Sequence, residues 1–256
     1  VSDAGVPLPK PWAVRFFTRY FRRLFARHFA HVRWHALDDW RAWGRDVPVL
    51  AIANHSNWWD GFHSVLLTEE MGYTCHVMME AVNLNRYPPF KWIGTLPVRR
   101  DSPRGAYEDL VDYGRRLVPG RMCWIYPQGE RRPALEPPTR LERGAAQLAL
   151  GHAGPLRIVP VAFRYTFTSE QLPDAYALVG RSWLHAPREG EDRRALTARF
   201  GEALVEVVGE LDARLREERL ADFRDLVPGR LSINKRMDLV RHKLGLLGGD
   251  FEARNG

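Results

Sequence analysis

Pro48-Val49-Leu50-Ala51-Ile52-Ala53 runs directly into Asn54-His55-Ser56-Asn57-Trp58-Trp59-Asp60, and from there into a mixed apolar stretch that closes at Met71-Gly72. A short, continuous apolar run bounded by polar residues reads as a strand buried on both faces. The stretch Trp58–Met71 reads as a helix, with glycine past its end. Strand, polar loop and helix make the first unit of an alternating pattern. Outward from it, Thr74–Met79 and Leu96–Arg99 read as strands, and Ser102 with Pro103 opens a helix that Pro119-Gly120 ends. Arg121–Tyr126 is a strand leading to a Pro-Gln-Gly turn. Thr139 and Glu142 are spaced as a capping box for a helix through Ala149. Leu156–Phe163 is a strand whose Pro160 assigns it to an edge or entrance of the sheet, and Tyr176–Leu184 is a further strand. Leu196, Phe200, Leu204, Val207, Leu211 and Leu215 mark a long amphipathic helix. Strands separated by helices predict an α/β fold, a mostly parallel central sheet flanked by helices.

Composition narrows the class. The chain has 256 residues, 45% hydrophobic and 27% charged, enough to bury a core and too apolar for disorder. The longest unbroken apolar runs are five residues, such as Val49–Ala53 and Met122–Tyr126, far short of a membrane span. No segment reads as a secretory signal. Cys75 and Cys123 are the only cysteines, too few for a disulfide framework, which predicts a reducing, cytoplasmic setting. Lys plus Arg outnumber Asp plus Glu by 38 to 31, a net charge of +7, so an anionic partner is expected. Nothing resembles a nucleic-acid-binding motif, so an anionic lipid or phosphorylated substrate is the better expectation.

The basic residues are concentrated first between Lys10 and Val32. Trp12, Phe16, Phe17, Tyr20, Phe21, Leu24, Phe25, His28, Phe29 and Val32 recur at helical spacing, with Arg15, Arg19, Arg22, Arg23 and Arg27 between them. Such a helix can lie in a bilayer interface, rings in the acyl boundary and arginines on anionic head groups; the alternative is a helix packed on its own domain. The expected organisation is therefore an amphipathic membrane-interface arm over residues 1–35 and a catalytic domain over 36–256. His28, His31 and His35 share this region, but no cysteine or carboxylate is placed locally to complete a metal site, and none is expected.

The candidate chemistry lies at strand ends. His55 follows a strand at once and Asp60 falls in the first turn of the next helix, so the carboxylate can fold back on the imidazole, fix its tautomer and stabilise its protonated form. The imidazole is then free to take a proton from a substrate hydroxyl; a purely structural helix-capping pair is the alternative. With no Gly-x-Ser-x-Gly elbow, the nucleophile is expected to be the substrate itself. Gly94-Thr95-Leu96-Pro97-Val98-Arg99-Arg100-Asp101 delivers two arginines to the end of a strand, where open α/β sheets bind ligands and where a guanidinium suits a phosphate. A surface salt bridge with Asp101 is the plainer reading. Tyr126-Pro127-Gln128-Gly129-Glu130-Arg131-Arg132 is a tight turn with exposed amides followed by more arginine.

In order and spacing these stretches resemble the blocks of the glycerolipid acyltransferase family, whose bacterial members include the lysophosphatidic acid acyltransferases. The Asn-His-x4-Asp block is met by Asn54, His55 and Asp60. The Gly-x-Ile-x-Val-x-Arg strand is met by Gly94, Leu96, Val98 and Arg100. Tyr126 to Arg131 stand in for Phe-Pro-Glu-Gly-Thr-Arg, and Val159 to Val161 for the Val-Pro-Val strand. Arg143-Gly144-Ala145-Ala146 is similar to the segment between the last two blocks. The likeness spans about residues 48–165. It implies transfer of a fatty acyl group from a thioester, on coenzyme A or acyl carrier protein, to a lipid hydroxyl, without a metal or other cofactor. His55 would be the base and Asp60 its orienter, with Asn54, Arg100, Gln128, Gly129, Glu130 and Arg131 on the substrate side. It implies 1-acylglycerol-3-phosphate as acceptor and a peripheral position on the cytoplasmic face of the cell membrane. Two departures bear on the acceptor: Gln128 replaces the family's Glu and Glu130 its Thr. A Glu130 facing inward would repel a phosphate, whereas one paired with an arginine would not. A non-phosphorylated lipid, glycolipid or pigment hydroxyl, and a non-catalytic lipid-binding module, stay open as alternatives.

Overall fold

The structure, a computed structural model, describes residues 8–168, 170–186, 190–229, 237 and 241. An N-terminal helix α1 (Pro11–His28) leads into strand β1 (Val32–Ala36) and, through a 3-10 turn at Trp40–Trp43, into β2 (Val49–Ala53). Then follow α2 (Trp59–Glu70), β3 (Thr74–Glu80), α3 (Ala81–Arg86), a 3-10 segment Pro88–Ile93, β4 (Thr95–Val98), α4 (Pro103–Arg116) and β5 (Arg121–Ile125). The remainder comprises α5 (Gly144–Gly151), β6 (Leu156–Thr166), β7 (Asp174–Val179), β8 (Trp183–His185), α6 (Arg193–Arg216) and β9 (Arg224–Val227).

The nine strands form one sheet in the order β4-β3-β5-β2-β6-β7-β1-β9, with β8 also paired to β6. β4, β3, β5, β2 and β6 run parallel, β7 and β8 run antiparallel to β6, β1 is parallel to β7, and β9 closes the far edge antiparallel to β1. The mostly parallel sheet flanked by helices is thus the architecture. β2 shows why its sequence is continuously apolar: Val49, Ala51 and Ala53 face a core shared with α1 and α2, while Leu50 and Ile52 face a second core shared with α4, α5 and α6. The ends of β2, β3, β4 and β5 consequently emerge together on one side of the sheet, where the candidate residues lie.

Four sequence expectations are corrected. The first helix ends at His28 rather than Val32, because the alternating burial of Val32 and Trp34 makes a strand of the next segment; the expected division at residues 35/36 falls inside β1. Pro160 lies in a central strand rather than at an edge. Its carbonyl accepts from Gly180 N at 2.8 Å, so its missing N–H falls on the side where β8 has ended and β7 is just beginning to pair. Thr139 and Glu142 form no capping box: α5 starts at Gly144 with Arg143 as an uncapped N-cap. Tyr176–Leu184 is split between β7 and β8.

The aromatic stripe of α1 is also divided. Phe21 and Phe25 are buried, Phe21 stacked on Phe62 with ring centroids 4.3 Å apart and Phe25 against Trp59 at 4.9 Å. Arg22 donates to the Leu226 carbonyl at 2.8 Å and pairs with Glu69 at 3.0 Å, tying α1 to β9 and α2. Trp12, Phe16 and Tyr20 point outward, beside exposed Arg15, Arg19, Arg23 and Arg27. Among the described residues no helix is long and apolar enough to cross a membrane.

Candidate active site

β2 is a straight, fully buried strand, so the residue after its polar cap is delivered to the rim of the sheet at a fixed height. Asn54 is that cap. Its Nδ2 donates to the Phe163 carbonyl at 3.1 Å and its Oδ1 accepts from Phe163 N at 2.7 Å, which fastens the end of β2 to β6. His55 comes next, with its own backbone held on both sides. Its N–H donates to Gln128 Oε1 at 2.7 Å, and its carbonyl accepts from Arg132 N at 2.8 Å. The turn after β5 therefore grips the histidine's main chain. An amide oxygen accepts that bond as a carboxylate would, which gives Gln128 a physical role in positioning; Asn54 and Gln128 both lie behind His55.

Asp60, in the first turn of α2, has one oxygen turned back on the loop. Oδ2 accepts from His55 Nδ1 at 2.8 Å, from Ser56 N at 2.8 Å and from Asn57 N at 2.9 Å. The carboxylate is wholly sealed from solvent while the imidazole remains 22% exposed. With the Nδ1 proton committed to Asp60, the lone pair sits on Nε2, on the open side. The imidazole lies flat against Tyr126, centroids 4.4 Å apart and 22° between planes, and the Tyr126 hydroxyl shares a 2.9 Å hydrogen bond with Ser64. Burial, and next the Asp60 carboxylate, push the Tyr126 and Tyr165 hydroxyls well above the usual phenol range, so both stay protonated. Burial holds the neighbouring His63 down at about 3, and it is neutral.

His55 opens onto a cavity of about 890 Å³, large enough for a lipid-sized ligand. One wall is apolar, with Phe62, Met78, Val98, Leu110 and Ile125 among its side chains. The polar part of the rim carries Arg100, Glu130, Arg131 and Glu142 around Gly129. Gly129 adopts φ 74°, a conformation that favours glycine, and the Glu142 carboxylate lies where a Cβ would stand. Glu130 pairs with Arg132 at 2.6 Å, the arrangement in which its charge does not oppose an incoming anion. Arg131 is exposed and makes no hydrogen bond or ion pair among the described residues. Arg100 donates to the Gly129 carbonyl and pairs with Glu142 at 2.5 Å. Arg99 turns away to Asp109 on α4, at 2.7 Å, and not to Asp101.

The site thus gathers His55 with Asp60, and Arg100, Gly129, Glu130 and Arg131, around one cavity. The lining by Trp58, Phe62, Tyr87 and Phe90, the stacking of Tyr126 and the presence of Glu142 lay outside the sequence reading. Glu142 has the spacing of a helix cap, but its carboxylate pairs with Arg100. Among the described residues no group of three or more His, Cys, Asp or Glu side chains could hold a metal ion.

A carboxylate-backed histidine beside a partly apolar cavity has the arrangement of a general base facing a bound substrate. A family model described as Acyltransferase matches residues 31–164, from the start of β1 almost to the end of β6 and just over half of the chain, so the protein belongs to the acyltransferase family. No curated protein matches the chain. Family membership implies an acyl donor and a lipid acceptor.

Proposed function

We propose that the protein is a membrane-surface O-acyltransferase that moves a fatty acyl group from a thioester, on coenzyme A or acyl carrier protein, to a lipid hydroxyl, with 1-acylglycerol-3-phosphate as the favoured acceptor. The observation that carries this reading is the His55–Asp60 pair opening onto a cavity with one apolar wall and one arginine-bearing rim. In this mechanism Nε2 of His55 takes the proton from the acceptor hydroxyl as its oxygen attacks the thioester carbonyl carbon. The buried Asp60 carboxylate stabilises the imidazolium so formed. Collapse of the tetrahedral intermediate breaks the carbon–sulfur bond, and the leaving thiolate takes the proton back from His55. The products are an oxygen ester and a free thiol.

The phosphate-bearing acceptor is supported by Arg131, a cavity-lining guanidinium with no hydrogen-bond or ion-pair partner among the described residues, and by the neutralisation of Glu130 through Arg132. Replacing Arg131 by Ala is expected to raise the acceptor KM about 10-fold, the size of one lost charge-assisted hydrogen bond, with donor KM nearly constant. The second reading, an uncharged acceptor, draws on Arg100 already being paired with Glu142. Steady-state rates with lysophosphatidate and monoacylglycerol separate the two. Faster acylation of the neutral lipid, with Arg131→Ala indifferent to the acceptor, sinks the phosphate reading.

For the membrane, the outward residues of α1 are the relevant ones. Trp12, Phe16 and Tyr20 form a ring-bearing edge that Trp92, 5.4 Å from Trp12, extends toward the cavity-lining Tyr87 and Phe90. Their neighbours are arginines and Lys91. Changing Trp12, Phe16 and Tyr20 together to Ser is expected to abolish co-sedimentation with anionic liposomes while leaving the melting temperature in place. High salt should weaken wild-type binding by screening the arginines. Binding that survives both would exclude α1 as the membrane contact.

A further inference from the structure

Of the arginines that line the cavity, Arg100 already holds an anion supplied by the chain. Arg100 Nη2 lies 2.5 Å from Glu142 Oε1 while its Nη1 donates to the Gly129 carbonyl, so both arms of the guanidinium fork are engaged. Glu142 is not a stray surface residue. Its backbone N–H is pinned to the Pro127 carbonyl at 2.7 Å, and its carboxylate packs against Gly129 in the space a Cβ would need. The turn after β5 and the segment before α5 thus bring a carboxylate to the place where an acceptor's anionic group would meet Arg100. Both side chains are open to solvent, 37% for Arg100 and 54% for Glu142, and an ion pair so exposed is weak and readily exchanged.

We propose that Glu142 is a specificity-determining residue: it occupies the anion position at Arg100, and an acceptor must displace it to bind there. This rests on the phosphate reading of the site given above. A phosphomonoester dianion, with more charge and more acceptor oxygens than a carboxylate, wins the exchange; a carboxylate or other monoanionic head group does not. Glu142 therefore weakens binding of every anionic acceptor and weakens it least for phosphomonoesters. Arg131, which has no partner to surrender among the described residues, makes the first contact, and release of Glu142 adds Arg100 as the second.

The test compares wild type with Glu142→Gln and Glu142→Lys, using lysophosphatidate and monoacylglycerol as acceptors, acyl-CoA as donor, and glycerol 3-phosphate as a soluble competitor. Gln keeps the shape and removes the competing charge, so the ratio of KM for lysophosphatidate to KM for monoacylglycerol should fall about 3- to 5-fold, the span of an exposed ion pair. Lys should lower it further, to roughly 10-fold, and glycerol 3-phosphate should inhibit both variants more strongly than wild type. An unchanged or raised ratio in both variants, at unchanged melting temperature, overturns the proposal. So does a change confined to the acyl-CoA KM, which assigns Arg100 to the donor's phosphates. If Arg131→Ala still raises the lysophosphatidate KM in that case, the phosphate reading survives and only the role of Glu142 is lost. If wild type prefers monoacylglycerol and ignores glycerol 3-phosphate, the reading itself fails and takes the proposal with it.

Discussion

His55→Ala is expected to lower kcat for acyl transfer by at least ~100-fold, the usual contribution of a positioned general base, with an unaltered unfolding transition. The fold should tolerate it because backbone bonds to Gln128 and Arg132 hold the residue in place, and Asp60 keeps the Ser56 and Asn57 N–H donors when the ring is removed. Thiol release from acyl-CoA in the presence of acceptor is the measurement, and turnover near wild type in the Ala variant would remove His55 from the mechanism. Asp60 offers a finer experiment. The three hydrogen bonds from the His55 ring and the loop converge on Oδ2, so an Asn can present its carbonyl oxygen to the same three donors and keep the imidazole tautomer. Asp60→Asn therefore removes the charge while keeping these three bonds, and it sets an NH2 in the buried place of Oδ1. A loss of about 10- to 1000-fold is expected, because a neutral amide cannot stabilise the imidazolium that forms as His55 takes the proton. Asp60→Ala should lose more, since it also releases the ring and strands two backbone N–H groups. Equal activities in the Asn and wild-type proteins would show that the carboxylate acts by orientation alone.

Phe25→Ala is expected to cost about 3–5 kcal/mol of folding stability, the range for truncating a fully buried phenylalanine. Its ring is completely enclosed between Phe29, Trp59 and His63. Phe16→Ala, nine residues earlier on the same helix, should stay within about 0.5 kcal/mol because its ring is 61% exposed. Chemical denaturation of the two variants beside wild type measures the contrast. Equal stabilities would mean that α1 is not packed on α2 in solution. The same contrast explains why a membrane test must spare Phe21 and Phe25: polar substitutions there would unfold the protein and release it from lipid for the wrong reason.

The α/β class and the mostly parallel sheet were legible because β2, β5 and much of β6 are buried on both faces, and such strands carry an unmistakable apolar run. β9 and β8 were not legible. They are short edge or flanking strands, Arg224–Val227 and Trp183–His185, whose pairing is set by neighbours distant in sequence. β1 was absorbed into the preceding helix because Phe29 and Val32 continue the helical spacing by coincidence, while Trp34 alternates with Val32 as a strand requires. At the site, the closeness of His55 and Asp60 is a local matter of five residues and a helix start, which spacing can express. The grip of Gln128 and Arg132 on the His55 backbone depends on β2 and β5 being adjacent, and adjacency is not written in either strand. Glu142 shows the converse error. Thr139 and Glu142 satisfy a local pattern, but Arg100, 42 residues away, claims the carboxylate.

Between the last residue of α1 and the first of β1 there are only Phe29, Ala30 and His31. Phe29 N still bonds to Phe25, and Ala30 N to the Pro173 carbonyl at 2.8 Å. This junction has no slack. If α1 rests on a bilayer, it serves as a foundation and not as a tether, because it cannot swing independently of the sheet that carries His55. The altitude of the imidazole above the lipid plane is then a constant of the molecule. Selection among acceptors would depend on that altitude as well as on chemistry: a lipid whose free hydroxyl rides too deep or too high meets no base, however well its head group matches the rim.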